Sequence, residues 1–359
     1  MVGPEEIEDL LSKHEPCDSF YIFDLGQVDR AYSEWTRTFP TIRPFYAIKC
    51  NPNKRILKTL AHLGSSFDCA SPAEIASVLK IGVDPSRIIY ANPCKKPRDI
   101  SWAYANGVKR TTFDSVCELA KIAECAPEME AVLRIRADDP SAQCALGNKY
   151  GAEEQDLETL AAEAARLGVK VIGVSFHVGS GSRDPNAHSE AIKKSKKTFE
   201  LLFLHGHSPY LLDIGGGFTS SISQCSEKIN KTIVELFPEA EVIAEPGRYI
   251  AEQVGTLVTP VIGVKNDSVT IDESLYGAFN CMIFDHSFPD PIVFSQKQKT
   301  QKTLFGCTCD GMDIIYKDVF LPDLSVGEWI AWPGMGAYTM AATTGFNGMP
   351  FNKRKIYYI

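Results

Sequence analysis

Lys49 closes PFYAIK, residues 44–49, a run apolar enough to be a buried strand. A lysine at the mouth of an apolar enclosure is poorly solvated, which lowers its pKa and frees the neutral amine for Schiff-base chemistry. DIGGGF, 213–218, puts Gly215, Gly216 and Gly217 directly after another such run. Three glycines let backbone N–H groups approach an anion closely. Their spacing fits neither a nucleoside-triphosphate loop nor a dinucleotide fingerprint. EPGRY, 245–249, comprises Glu245, Pro246, Gly247, Arg248 and Tyr249. Arg248 offers a guanidinium to a phosphate. Glu245 suits a ring nitrogen, because a carboxylate there keeps a pyridinium protonated and preserves its electron sink. In FHVGSG, 176–181, His177 can stack on a flat ring and Ser180 can bind phosphate. Each feature alone has an ordinary reading: a surface lysine, a tight turn, a surface ion pair, a structural histidine. Their coincidence argues for a site.

The elements that must carry these residues recur. Eight β-rich runs stand at 44–49, 66–68, 87–90, 110–113, 131–135, 171–176, 210–214 and 241–245. Several are continuously apolar, as strands buried on both faces should be. Helical patterns fill the gaps. Ser71-Pro72-Ala73-Glu74 and Ser115-Val116-Cys117-Glu118 read as capping boxes, which accounts for Glu74 without any catalytic role. Leu157, Leu160, Ala161, Ala164 and Leu167 fall at helical spacing, and Gly168 follows as a stop. Eight β-then-α units imply a (β/α)8 barrel of the TIM type, ranked ahead of a doubly wound open sheet. Barrel chemistry lies at the C-terminal ends of the strands. There the sequence places Lys49, Asp68, Asn92, Asp114, Arg134, His177, Gly215 to Gly217, Glu245 and Arg248. The glycine string follows the seventh run and EPGR the eighth, where barrels commonly bind phosphate.

From about residue 254 the pattern alternates without long helices, which implies a second, all-β domain. The expected division is an N-terminal segment, 1–24, joining the β domain; the barrel, 25–253; and the β domain, 254–359. Asp285 in FDH and Cys309-Asp310 in GCTCDGMD cannot be placed from spacing alone, and Tyr338 and Phe346 read as core aromatics. The net charge of −8 argues against nucleic acid. No apolar run approaches the ~18–20 residues of a membrane span. The opening MVGPEEIEDLLSKHE has no apolar signal core, so a cytoplasmic location is expected. The eleven cysteines follow no metal or redox spacing, so free thiols and no metal are expected.

Together, FYAIKCN, FDCASPAEI, RIIYANPCK, FHVGSGS, LLDIGGGF, AEPGRY, YGAFNC, FDH, CTCDG, GAYT and FNG resemble, in order and approximate spacing, the eukaryotic-type ornithine decarboxylases. These are fold-type III enzymes of pyridoxal 5'-phosphate. LGNKYGA, GCTCDG and the ending YYI are also similar to the compact viral arginine decarboxylases of that family. The resemblance implies that Lys49 bonds the cofactor, with Asp68 and Arg134 supporting the lysine and ring side. His177 would lie against the ring face and Glu245 at the pyridine nitrogen. Ser180, Gly215 to Gly217 and Arg248, within the Pro246-Gly247 turn, would hold the phosphate with Tyr338. Asp285 and Asp310 would bind a distal ammonium, in a substrate site with Tyr276, Phe284 and Phe346. Cys309 would reprotonate the substrate carbon. Cys309 and Asp310 would come from the second subunit of a homodimer, which Lys149 and Asp313 would help assemble.

The implied reaction is decarboxylation of L-ornithine to putrescine, a step of polyamine biosynthesis. Asp285 matches the ornithine enzymes, whereas the viral arginine enzymes carry a longer acidic residue there. Arginine or lysine is the alternative substrate. A catalytically dead regulatory homologue would have lost cofactor residues that stand here, and a racemase would need a second base, commonly a tyrosine, facing the lysine. Binding of an antizyme-like regulator is left open.

Overall fold

Strands buried on both faces organise residues 29–249. The computed structural model describes residues 2–147, 149–295 and 297–359. Two units divide the chain, residues 29–249 and residues 1–28 with 250–359. Numbered in chain order, β1 (Phe20–Phe23) belongs to the second unit. The next eight are β2 (Ile42–Ala47), β3 (Ser66–Cys69), β4 (Ile88–Tyr90), β5 (Arg110–Phe113), β6 (Glu130–Arg134), β7 (Val171–Ser175), β8 (Leu211–Asp213) and β9 (Glu241–Ala244). All pair in parallel, and β9 returns to β2 to close a barrel. A parallel pair needs a crossover, and helices supply it in seven of the intervals. Phe45, Ile89, Val132 and Leu211, from alternate strands, meet with Ile172 and Ile243 in a fully buried cluster. That is the layered side-chain filling of an eight-stranded barrel, so its interior is packed.

At the N-terminal end of the barrel, Arg110 at the start of β5 reaches Glu241 at the start of β9, four strands away. Its two terminal nitrogens donate to the two carboxylate oxygens at 3.0 and 2.9 Å. This bidentate pair ties opposite walls together.

Local signals place the helices. Ser71 Oγ accepts from Glu74 N–H, while the Glu74 carboxylate accepts from Ala70 N–H at 2.6 Å, one residue before the cap. Ser115 caps its helix in the same way, but the Glu118 side chain does not complete a box. It is buried and pairs with Lys95 at 2.8 Å and with Lys121. The helix Leu157–Arg166 buries Leu157, Leu160, Ala161 and Ala164, and Gly168 takes φ +70° beyond it. Most of the barrel strands differ from the sequence expectation by one or two residues at an end. Lys49 lies past β2 in the tight turn Ile48–Cys50, and Arg87 belongs to the turn before β4.

The second unit holds a mixed eight-stranded sheet. Its further strands are β10 (Gly255–Lys265), β11 (Ser268–Ile271), β12 (Ile292–Val293), β13 (Lys299–Phe305), β14 (Ile314–Pro322), β15 (Trp329–Trp332) and β16 (Lys355–Tyr358). The path runs β12-β15-β10-β11-β13-β14, with β1 antiparallel to β10 and parallel to β16. The wholly apolar FYIF of β1 is buried throughout. The helix Pro4–His14 adds Ile7 and Leu10 to a cluster with Phe20, Ile22, Val258 and Ala331. Among the described residues, no helix is long and apolar enough to cross a membrane.

Candidate active site

The strand ends of the barrel carry one connected set of groups. Lys49 follows β2 in a turn held by the Tyr46 hydroxyl, which donates to Asn51 O at 3.0 Å. Its ammonium pairs with the carboxylate of Asp68, the third residue of β3, directly beside Ala47 in register. Asp68 is fully buried while Lys49 remains part-exposed. Glu74 belongs to the same charge cluster. Burial raises its carboxyl, the Ala70 N–H opposes that, Asp68 adds to it and Lys49 again opposes. Arg134 ends β6 with its guanidinium 5.5 Å from the centre of the Tyr150 ring.

His177 follows β7. Gly179 N–H donates to its Nδ1 at 3.0 Å, so Nδ1 is unprotonated and the neutral ring carries its hydrogen on Nε2. Burial, with Arg134, Lys49 and His188 nearby, holds the imidazole well below its ordinary pKa. The ring is therefore uncharged at neutral pH.

The glycine string follows β8, and each glycine is sterically required. A β-carbon at Gly215 would sit 2.0 Å from Phe176 O. One at Gly216 would meet His177 Nε2 at 2.8 Å, and one at Gly217 would meet Gly179 O at 2.6 Å. Gly215 and Gly217 also take φ of +63° and +103°, which side chains disfavour. Beyond β9, Glu245 N–H donates to Gly215 O at 2.7 Å, and Pro246 O accepts from Ala47 N–H at 3.2 Å. Arg248, buried at the start of a short helix, donates to Ser180 Oγ at 3.1 Å. The loops after β2, β7, β8 and β9 are thus bonded to one another. Asn92 and Asp114 instead bind backbone groups, Ala70 O and Gly151 N–H.

Asp213, the last residue of β8, stands directly before the glycine string and carries no role in the sequence reading. It is completely buried, and its Oδ1 accepts from Gly215 N–H at 2.9 Å. Burial pushes the carboxyls of Asp213 and Glu245 above the ordinary range, and the Asp213 and Asp68 charges push Glu245 further.

In the second unit, the Tyr276 hydroxyl donates to Asp310, and its ring stacks on Phe346 at 4.1 Å and 21°. Phe346 is therefore a surface partner of Tyr276 and not the core aromatic its spacing suggested. Asn347 Oδ1 accepts from Cys309 N–H at 3.0 Å, leaving the Cys309 side of the turn exposed. Asp285 is buried directly after the helix Asn280–Phe284, whereas Phe284 is exposed. Tyr338 takes φ +54°. Asp313 is buried and accepts from Ser274 Oγ, Leu275 N–H, Thr308 N–H and Thr308 Oγ within its own unit.

The residues present fit pyridoxal phosphate. The Glu245 carboxyl is buried, no described N–H or O–H donor reaches Oε1, and its side-chain hydrogen-bond neighbour is the Asp213 carboxyl, so it can accept from a ring N–H. No described residue accepts from the amides of Gly216 and Gly217, which stand in the same loop assembly as Arg248 and Ser180.

Residues 25–252 match the family described as pyridoxal-dependent decarboxylase, pyridoxal binding domain. Antizyme inhibitor 2 of Xenopus laevis is 41% identical, over 99% of this chain and 84% of that protein. A probable ornithine decarboxylase of Dictyostelium discoideum is 39% identical, over 99% and 82%. The arginine decarboxylase of Paramecium bursaria Chlorella virus, solved with agmatine bound, is 42% identical with a TM-score of 0.95, covering 99% of this chain and 100% of that one. The chain belongs to the pyridoxal-dependent decarboxylases, carboxy-lyases of fold-type III whose cofactor is pyridoxal 5'-phosphate.

Proposed function

We propose that this protein decarboxylates L-ornithine to putrescine, as a homodimer whose two copies share each active site. The observation that supports catalysis most directly is the Lys49–Asp68 pair within one bonded assembly of strand-end loops that also holds the glycine string and Arg248. Bound there, pyridoxal phosphate supplies an electron sink for the breaking carbon–carboxylate bond.

The chain's own groups do the rest. Lys49 provides the amine that anchors the cofactor, and Asp68 orients it. Arg134 supports the ring side. Glu245 would hold the proton of the ring nitrogen, and the uncharged His177 would lie against the ring face without opposing that proton. Gly215 to Gly217, Ser180, Arg248 and Tyr338 hold the phosphate. Asp285 and Asp310 pair with the distal ammonium, beside Tyr276, Phe284 and Phe346. Cys309 returns a proton to the carbon that lost carbon dioxide.

Ornithine is favoured by Asp285, a short and buried carboxylate in the FDH string. Arginine is the second reading, supported by the full-length likeness to the viral arginine decarboxylase. One methylene of chain length discriminates by only about 1–3 kcal/mol in an apolar pocket, so lysine is expected as a slower substrate. Specificity constants for carbon dioxide release from ornithine, lysine and arginine, with cofactor added, test this. Ornithine in first place supports the proposal. Arginine or lysine in first place overturns the substrate and leaves the family standing.

A further inference from the structure

We propose that His188 is a positioning residue of the glycine loop, fixing the Gly216 carbonyl so that the Gly217 N–H faces the cofactor phosphate. The proposal rests on reading that loop as the phosphate site.

His188 is buried near the start of the helix Ala187–Leu204, with Nε2 3.0 Å from Gly216 O. A carbonyl oxygen has no proton to give, so Nε2 carries the hydrogen and donates it. The same accounting covers the whole string. Gly215 O accepts from Glu245 N–H at 2.7 Å, Gly216 O from His188, and Gly217 O from Ser182 N–H at 3.0 Å. All three carbonyls are thus turned toward protein donors. Among the described residues, Asp213 Oδ1 accepts from the Gly215 amide and none accepts from those of Gly216 and Gly217. In a trans peptide the N–H points opposite the preceding C=O, and the described chain has no cis peptide. Holding the Gly216 carbonyl therefore directs the Gly217 N–H away from His188. Successive N–H groups displayed in this way form an anion-binding concavity.

His188, Gly217 and Phe218 line part of a cavity of about 280 Å³ beside the loop. His188 is itself fixed by stacking on Phe218, 4.4 Å between ring centres at 26°. Burial lowers its pKa to about 4, so the ring brings direction and no charge.

The test is the ratio of affinities of the apo-protein for pyridoxal phosphate and for pyridoxal, which lacks the phosphate. Wild type, His188→Phe, His188→Gln and Gly217→Ala are compared by equilibrium dialysis. A misplaced phosphate seat lowers the ratio, whereas general damage lowers both affinities. His188→Phe keeps a ring against Phe218 and loses the donor, so the ratio should fall at least roughly tenfold, the scale of one hydrogen bond to a charged acceptor system. His188→Gln, with an amide donor, should recover part of it. His188→Leu is the second donor-less variant should the phenylalanine variant not fold. A normal ratio in the donor-less variant with a lowered ratio in Gly217→Ala overturns the role of His188 and keeps the loop as phosphate site. A normal ratio in Gly217→Ala overturns both.

Discussion

The ammonium of Lys49 is paired with the carboxylate of Asp68, one part-exposed and the other sealed in the barrel wall. Lys49 thereby has a fixed direction before any ligand arrives. Asp68→Asn should keep the fold and lower kcat about 10- to 100-fold, the scale of one charge-assisted hydrogen bond of about 1.5–3 kcal/mol. Steady-state rates with saturating cofactor measure it, and an unchanged kcat would remove Asp68 from the machinery.

The proposed sharing of sites predicts complementation. Lys49→Ala and Cys309→Ala homodimers should each be almost inactive. Mixed after subunit exchange, they should regain activity, because a hybrid dimer assembles one site with neither substitution. No recovery, with exchange demonstrated by differently tagged copies, would contradict the shared site.

Glu118 predicts a stability effect away from the site. Its buried carboxylate lies between Lys95, wholly buried, and Lys121. Lys95 Nζ also donates to Asn92 O and Thr112 O at 2.7 Å, and burial lowers its pKa to about 8. Glu118→Ala leaves that ammonium without its carboxylate and should cost about 3–5 kcal/mol of folding free energy. Urea unfolding at neutral pH reads this. A loss below 1 kcal/mol would show that the carbonyls alone satisfy Lys95.

Histidine burial sets an acid limit. The His188 pKa is lowered to about 4 by burial, against about 6.5 in an unfolded chain. Between those values the unfolded chain binds a proton that the fold refuses. The stabilising contribution is therefore complete above about 6.5 and is lost as pH falls through about 4, a change of roughly 3 kcal/mol. His177 shifts in the same direction and adds to it. Apo-protein unfolded in urea at pH 7 and pH 4.5 should show this loss, and His188→Phe should show less of it. An equal loss in the variant would contradict the assignment.

The barrel strands were legible because strands covered on both faces must be apolar almost throughout, as the buried β7 is. Strand ends were less so. Lys49 stands in a turn because the chain curls away where the barrel opens. Glu74 was hidden by its own sequence, since a capping residue looks fully explained until the fold brings Asp68 and Lys49 beside it. Asp213 had a local signal, an aspartate accepting from the amide two residues on, which the adjacent glycines obscured. His188 had none, for its partner Gly216 is 28 residues away. Arg110 and Glu241, 131 residues apart, are joined only by barrel closure.

The central claim is that Lys49 carries the cofactor. Purified protein loaded with pyridoxal phosphate, reduced with borohydride and digested should yield one modified peptide by mass spectrometry. The label is predicted on Lys49, with none in Lys49→Ala. A label on another lysine, or none on a protein that binds the cofactor, would contradict it.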